Sequence, residues 1–320
     1  MKGRVHGILG GVYRVVLDSG REVEASLRGR LKKEDRKEAR VVVGDRVEVR
    51  LEEGDGATIE SVEPRRSRVV RRGPGGRRPK VVAANVDRLV VVAAADRPLP
   101  RQRLLDRLLV VGEANELETI LVMNKADLRG GRGDGGPGDD GASEVDVASE
   151  KRFEALAGLY RRVGYRVMET SAVTDEGLTE LREVLCSGTS ALVGPSGVGK
   201  SSLLNAIEPG LNLRTGELSR RVGRGRHTTV SGRLIHLECG GFVVDTPGFS
   251  DAGVWGADAR SLERCFPEFR RHSEECRFRR CSHLHEPGCG VREALEAGEI
   301  DPGRFESYRT LVEESEASGR

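Results

Sequence analysis

Apolar and polar positions alternate in short runs over the first sixty or so residues. GRVHGIL, VYRVVLD, REVEASL, DRVEVRL and ATIESVE each read as a short strand. Gly-Gly, Ser-Gly and Asp-Gly pairs separate them, and such pairs supply the positive φ angles of tight turns. Five short antiparallel strands predict a small barrel of the OB type, with a β-sandwich or an SH3-like barrel as the rival.

From residue 86 to about 250 the pattern changes. The apolar runs VDRLVVVAA, ETILVMN, YRVME and SALVG alternate with helical stretches at RLLDRLLVVGEAN, 149–162, 176–186 and from Gly199 onward. Continuous apolar strands alternating with helices predict an α/β domain with a largely parallel sheet. The Gly/Asp-rich stretch 129–142 interrupts this pattern and is expected as a surface loop. The last 65 or so residues carry a Cys/His cluster between helical segments at 258–272 and 291–315. That is too little chain for a large core, and a bound metal would compensate.

Composition narrows the function classes. Lys and Arg number 53 against 51 Asp and Glu, so the net charge is only +2, which excludes a uniformly basic histone-like protein and an acidic tail protein. The basic residues are concentrated instead: eight of the seventeen in PRRSRVVRRGPGGRRPK, residues 64–80, are Lys or Arg and none is acidic. This stretch reads as a linker with a positive field suited to a phosphate backbone. There is no apolar run of about 18 residues and no secretory signal in MKGRVHGILGG, so a soluble cytoplasmic protein is expected. Six cysteines should then stay reduced, with Cys186 and Cys239 as core residues.

GPSGVGKS, Gly194 to Ser201, matches the phosphate-loop pattern G-x-x-x-x-G-K-S/T between an apolar strand and a helix. Gly194, Ser196, Gly197, Val198, Gly199 and Ser202 would turn backbone N–H groups toward phosphates. Lys200 would meet the β- and γ-phosphates, and Ser201 would ligate Mg²⁺. NKAD follows the strand TILVM: Asp127 can accept both the ring N–H and the exocyclic amine of guanine, Lys125 can pack along the base and Asn124 can brace the loop. TSA ends the next strand, where the N–H groups of Ser171 and Ala172 can meet guanine O6. In DTPG, Asp245 would hold Mg²⁺ through water and the Gly248 N–H would sense the γ-phosphate. A threonine of GRGRHTTV should close the Mg²⁺ shell, Thr229 in preference to Thr228. Phe249 stands where many GTPases carry a water-positioning Gln, and His227 is a nearby candidate for that task. The order is unusual: base-recognition motifs precede the phosphate loop, so the domain reads as circularly permuted.

CRFRRCSHLHEPGC offers Cys276, Cys281, Cys289 and either His283 or His285, a donor set that suits tetrahedral Zn²⁺ with no open position. Arg270, Arg271, Arg277, Arg279 and Arg280 surround it as a second basic zone suited to folded RNA.

These motifs, with ANVDRLVVV, TGELS and DTPGF, give the chain a close resemblance to the RsgA (YjeQ) family, the circularly permuted GTPases of small ribosomal subunit biogenesis. The resemblance implies a multidomain protein: an OB-fold barrel at 1–66, a basic linker at 67–85, a circularly permuted P-loop GTPase domain at 86–254 and an α-rich zinc-binding domain at 255–320. It implies His283 over His285 in the metal site, one structural Zn²⁺, Mg²⁺ with GTP, and His227 as the catalytic residue. The implied partners are the small (30S) subunit with its 16S rRNA and GTP or GDP, with no membrane, and a monomer is expected. The competing reading is an RNA-binding protein that uses GTP as a structural or regulatory ligand on another RNA or protein target.

Overall fold

The computed structural model describes residues 1–29, 31, 41–52, 56–72, 79–129, 144–213, 231–245 and 261–319. The N-terminal alternation becomes five strands: β1 Lys2–Leu9, β2 Val12–Leu17, β3 Glu22–Leu27, β4 Arg46–Leu51 and β5 Gly56–Val62. They pair in the order β1-β2-β3-β5-β4 and close through β1 with β4, the expected OB-type barrel. The closure includes one parallel pair, β3 with β5. In β3, Val23, Ala25 and Leu27 face the core while Glu22, Glu24 and Ser26 face solvent. The period-2 pattern thus sets which face is buried.

The segment expected as a linker contains a strand pair, β6 Arg68–Arg72 with β7 Pro79–Ala84. Val69 and Ala83 are paired and fully buried, so the apolar residues between the arginines bring it into a ladder.

The central sheet runs β10-β9-β8-β11-β13-β12. Its strands are β8 Arg88–Ala94, β9 Glu118–Asn124, β10 Arg166–Thr170, β11 Thr189–Val193, β12 Ser231–His236 and β13 Phe242–Asp245. All neighbours are parallel except β12 with β13. Helices α1 Gln102–Ala114 and α2 Glu144–Val163 cover one face, where Leu108, Leu109, Phe153 and Tyr160 join the core of Leu89, Val91 and Leu121. Helices α3 Leu178–Cys186 and α4 Lys200–Ile207 cover the other, where Leu181, Leu185, Leu203 and Leu204 meet Val90, Val92 and Val122. Successive residues of β8 serve opposite faces, which is why its sequence is apolar without interruption. The barrel continues this sheet: β1 pairs antiparallel with β12, Gly7 opposite Arg233 and Ile8 opposite Ser231.

Cys186 and Cys239 are not reduced core residues but a disulfide, with Cα atoms 5.4 Å apart. Cys239 lies on the exposed turn between β12 and β13. A Cβ added at Gly241 would stand 1.9 Å from Leu185 O, so that turn presses on the end of α3 and brings the sulfurs together. The helical stretch at 258–272 holds, among its described residues, a 3-10 turn at Leu262–Cys265 and a short helix α5 Phe269–Ser273, with Pro267 between them. The 291–315 stretch is α6 Gly290–Glu296 and α7 Pro302–Gly319, separated at Gly298, whose φ of 76° ends α6.

Aromatic residues, sparse elsewhere, gather in this C-terminal module: Phe266, Phe269 and Tyr308 pack on one another with Val110 of α1. A buried ionic group fastens the module to α1. Arg304 reaches Asp106 at 2.7 Å and Glu268 at 2.6 Å, and the Tyr160 hydroxyl donates to Asp106 at 2.7 Å. Among the described residues no helix is long and apolar enough to cross a membrane.

Candidate functional site

The C-terminal ends of β8, β9, β10, β11 and β13 lie at one edge of the sheet, where ligands bind in open α/β folds. The entirely buried strand β11 feeds the loop Gly194–Gly199, and α4 begins at Lys200. Two glycines shape this turn. Gly194 has φ 145° and a Cβ there would lie 2.2 Å from Val92 O. Gly199 has φ 97° and a Cβ there would lie 2.3 Å from Asn124 Nδ2. Only glycine lets the loop pass so near the ends of β8 and β9. Ser196 and Gly197 form its exposed crest, Val198 and Ser201 are buried, and Ser202 is half-buried in the first turn of α4.

Lys200 is buried across the loop and donates to Gly194 O at 2.7 Å and Pro195 O at 2.9 Å. Burial lowers its pKa to about 8, opposed by the charge of Asp245. Asp245 ends β13 level with Leu192 of β11, which brings its backbone to the same edge as the phosphate loop.

The base motifs are joined to that loop by specific bonds. Asn124 Nδ2 donates to Val198 O at 2.7 Å, and Thr170 Oγ1 donates to Asn124 Oδ1 at 3.2 Å. One side chain therefore links the ends of β9, β10 and the phosphate loop. Lys125 donates to Arg97 O at 2.7 Å. Ser171 Oγ donates to Asp127 Oδ1 at 2.5 Å while accepting N–H bonds from Val173 and Thr174, both at 3.1 Å. Asp127 remains exposed, so its carboxylate is aimed but accessible. Ala172 is half-buried beside it in sequence.

Arg129 was not singled out by sequence, because it opens the Gly/Asp-rich stretch. Its Nε donates to Ala126 O at 3.0 Å, inside NKAD. Its guanidinium meets Glu169 at 2.8 Å and also Glu176, on the two sides of TSA. Arg161 also holds Glu169, at 2.7 Å. Arg129 thus clasps the two base loops together, and a lone arginine two residues past Asp127 gives no motif to reveal it.

His227, Thr228, Thr229, Gly248 and Phe249 lie outside the described residues, as do TGELS and most of the 129–142 stretch.

At the far end of the chain, Cys276, Cys281, His283 and Cys289 place their ligand atoms within 4.8 Å of one another. His283 Nδ1 lies 3.5 Å from Cys276 Sγ and 3.4 Å from Cys289 Sγ. Its Nε2 is 2.9 Å from Glu263, an outer partner that turns Nδ1 toward the sulfurs. Burial pushes the Cys281 thiol up to about 12. Sulfurs so close ionise together only beside a compensating cation, so the donor set fits a metal. His285 is exposed and outside the cluster. Cys265 is also outside it, its Sγ directed to Ser261 O at 3.6 Å.

Known proteins agree with this arrangement. The family described as RsgA N-terminal domain matches residues 2–59, and that described as RsgA GTPase matches 62–133 and 142–255. A small ribosomal subunit biogenesis GTPase RsgA of Gemmatimonas aurantiaca is 46% identical over 308 residues, covering 95% of this chain and 94% of the relative. Its counterpart in Moorella thermoacetica is 41% identical, covering 98% and 97%. The crystal structure of YjeQ from Thermotoga maritima superimposes with a TM-score of 0.75 at 34% identity, covering 98% of each chain. YloQ, described as a circularly permuted GTPase, gives 0.71 at 31% identity over 99% of this chain and 95% of its own. The phosphate-loop strand β11 follows the NKAD strand β9 in sequence yet lies two places from it in the sheet, separated only by β8. With barrel, permuted sheet and metal-competent cluster in one chain of matching length, the protein belongs to the RsgA family of circularly permuted GTPases.

Proposed function

We propose that this GTPase binds the small (30S) ribosomal subunit and its 16S rRNA, assists late subunit assembly, and hydrolyses GTP to GDP and phosphate faster when bound. The observation that carries the nucleotide part is the convergence of NKAD, TSA and the phosphate loop on one sheet edge, with Asn124 of NKAD bonded to both of the others. The partner follows from the name shared by its relatives.

In this reading Asp127 accepts the ring N–H and amine of guanine, Lys125 packs along the base, and N–H groups of Ser171 and Ala172 meet O6. Backbone N–H groups of Gly194 through Ser202 cradle the phosphates, and Lys200 gives up its carbonyl contacts for them. Ser201, Asp245 and Thr229 would hold Mg²⁺, which neutralises phosphate charge. Gly248 senses the γ-phosphate and His227 orients water, two roles that rest on sequence alone. Cys276, Cys281, His283 and Cys289 would hold one structural Zn²⁺ with no open position. The working division is barrel 1–66, basic segment 67–85, GTPase domain 86–254 and zinc domain 255–320, in a cytoplasmic monomer.

Sedimentation with purified small subunits at low salt tests the switch. Protein with a non-hydrolysable GTP analogue should pellet with subunits, and protein with GDP should stay in the supernatant. Equal pelleting with GDP, or none with the analogue, defeats the proposal.

A further inference from the structure

The first two cysteines of the cluster bracket four consecutive exposed residues, Arg277, Phe278, Arg279 and Arg280. Phe278 is 44% exposed, and it is the one exposed side chain among the described Phe and Tyr residues. In a chain with few aromatics, where the other described Phe and Tyr rings are partly or fully buried, an aromatic ring left in water asks for a partner.

Its surroundings indicate which. Other described arginines find carboxylates: Arg107 with Glu314, Arg166 with Glu180, Arg270 with Glu113. Among the described residues, none of Arg277, Arg279 and Arg280 has a salt bridge. The neighbouring Glu286 is occupied, accepting the Ser282 N–H at 2.7 Å. Arg277 lies 5.6 Å from the Phe278 ring centroid, so one guanidinium sits with the ring.

The loop is also held in place. Arg277 N–H donates to Gly288 O at 2.9 Å. Beyond Cys281, the Tyr308 hydroxyl donates to Ser282 O at 2.8 Å. A platform fixed at both ends loses little conformational entropy on binding.

We propose that this loop is a stacking platform for an unpaired base of ribosomal RNA, with Phe278 receiving the base face and Arg277, Arg279 and Arg280 meeting the flanking phosphates. A nucleotide presents a flat π-face and an anion within one residue's reach, and this loop presents the complements of both. A duplex would not serve, because its bases are stacked inside and the A-form major groove is too narrow to enter. An apolar protein pocket would leave three guanidiniums uncompensated. The inference rests on the small-subunit reading and adds the contact residues to it.

The test uses full-length protein, purified small subunits and a non-hydrolysable GTP analogue across a salt series. Phe278→Ala should weaken binding roughly fivefold to a hundredfold, the range for loss of one stacked base. Phe278→Trp should bind at least as well as the native chain, and Phe278→Leu should be nearly as weak as the alanine variant. Arg279→Gln should lower the slope of log affinity against log salt by about one, while Phe278→Ala should leave it unchanged. GTP affinity in all four should match the native chain, which confirms folding. If Phe278→Ala binds like the native chain, the platform is refuted and the small-subunit reading stands. If Phe278→Leu binds like the native chain, the ring is a nonspecific apolar contact facing protein, and the base-stacking proposal is equally refuted. If the native chain does not bind subunits, both fail.

Discussion

At the nucleotide edge, Asn124, Ser171, Lys200 and Asp245 are far apart in sequence and are brought together by a sheet whose strands are buried on both faces. At the Cys/His cluster, four donors fall within fourteen residues, between short helices and loops. The first region has its geometry before any ligand arrives, because backbone ladders and two close-packed glycines impose it. The second has a small aromatic core and three cysteines and a histidine whose ligand atoms stand close enough to share one cation. The difference is in what organises each region: the nucleotide edge is built by its sheet, and the cluster by four donors whose chemistry fits a metal.

Removing the metal should separate the two most strongly. Structural zinc contributes about 10–16 kcal/mol in zinc-finger peptides, more than the stability of most whole domains. Chelation, or Cys289→Ser, should therefore unfold the C-terminal module, seen as lost helical circular dichroism and a lower melting temperature. GTP affinity should change less than about threefold, since none of the nucleotide motifs lies in the C-terminal module, residues 261–319. Parallel loss of GTP binding would mean that the Arg304–Asp106 junction makes the two regions one cooperative unit.

Asp127→Asn tests the other side of the comparison. It replaces an acceptor pair by an acceptor and a donor. Hydrogen bonds to a charged group are each worth roughly 1.5–3 kcal/mol, so GTP affinity should fall at least tenfold and xanthosine triphosphate should gain. Unchanged GTP binding would remove Asp127 from the base site. The smallest effect is expected at Arg129. Its ion pairs are partly exposed and worth about 1 kcal/mol or less. Arg129→Gln should raise the KM for GTP several-fold and leave kcat alone, and the gap should narrow at high salt. A fall in kcat instead would place the clasp in the hydrolytic step.

The architecture was legible where one physical constraint dominates the pattern. Period-2 alternation revealed the barrel and unbroken apolar runs revealed the parallel sheet. Motifs at strand ends located Asn124, Lys125, Asp127, Ser171 and the phosphate loop. What sequence missed depends on distant approach. The Cys186–Cys239 bond arises because Gly241 lets a turn press against α3, and nothing local to either cysteine records it. The strands β6 and β7 were hidden because arginines and a Pro/Gly stretch outweighed the Val69–Ala83 pair that buries them. Arg129 lay at the start of what resembled an insertion. Local sequence left His283 and His285 open, with only the family resemblance favouring His283; in space it is His283, buried and facing Glu263, that stands among the sulfurs.

The most direct test of the central claim is multiple-turnover GTP hydrolysis with and without purified small subunits. Turnover should be slow for the protein alone and rise greatly in kcat with small subunits, an increase absent with large subunits and suppressed as salt weakens phosphate contacts. Equal turnover with and without small subunits would contradict it.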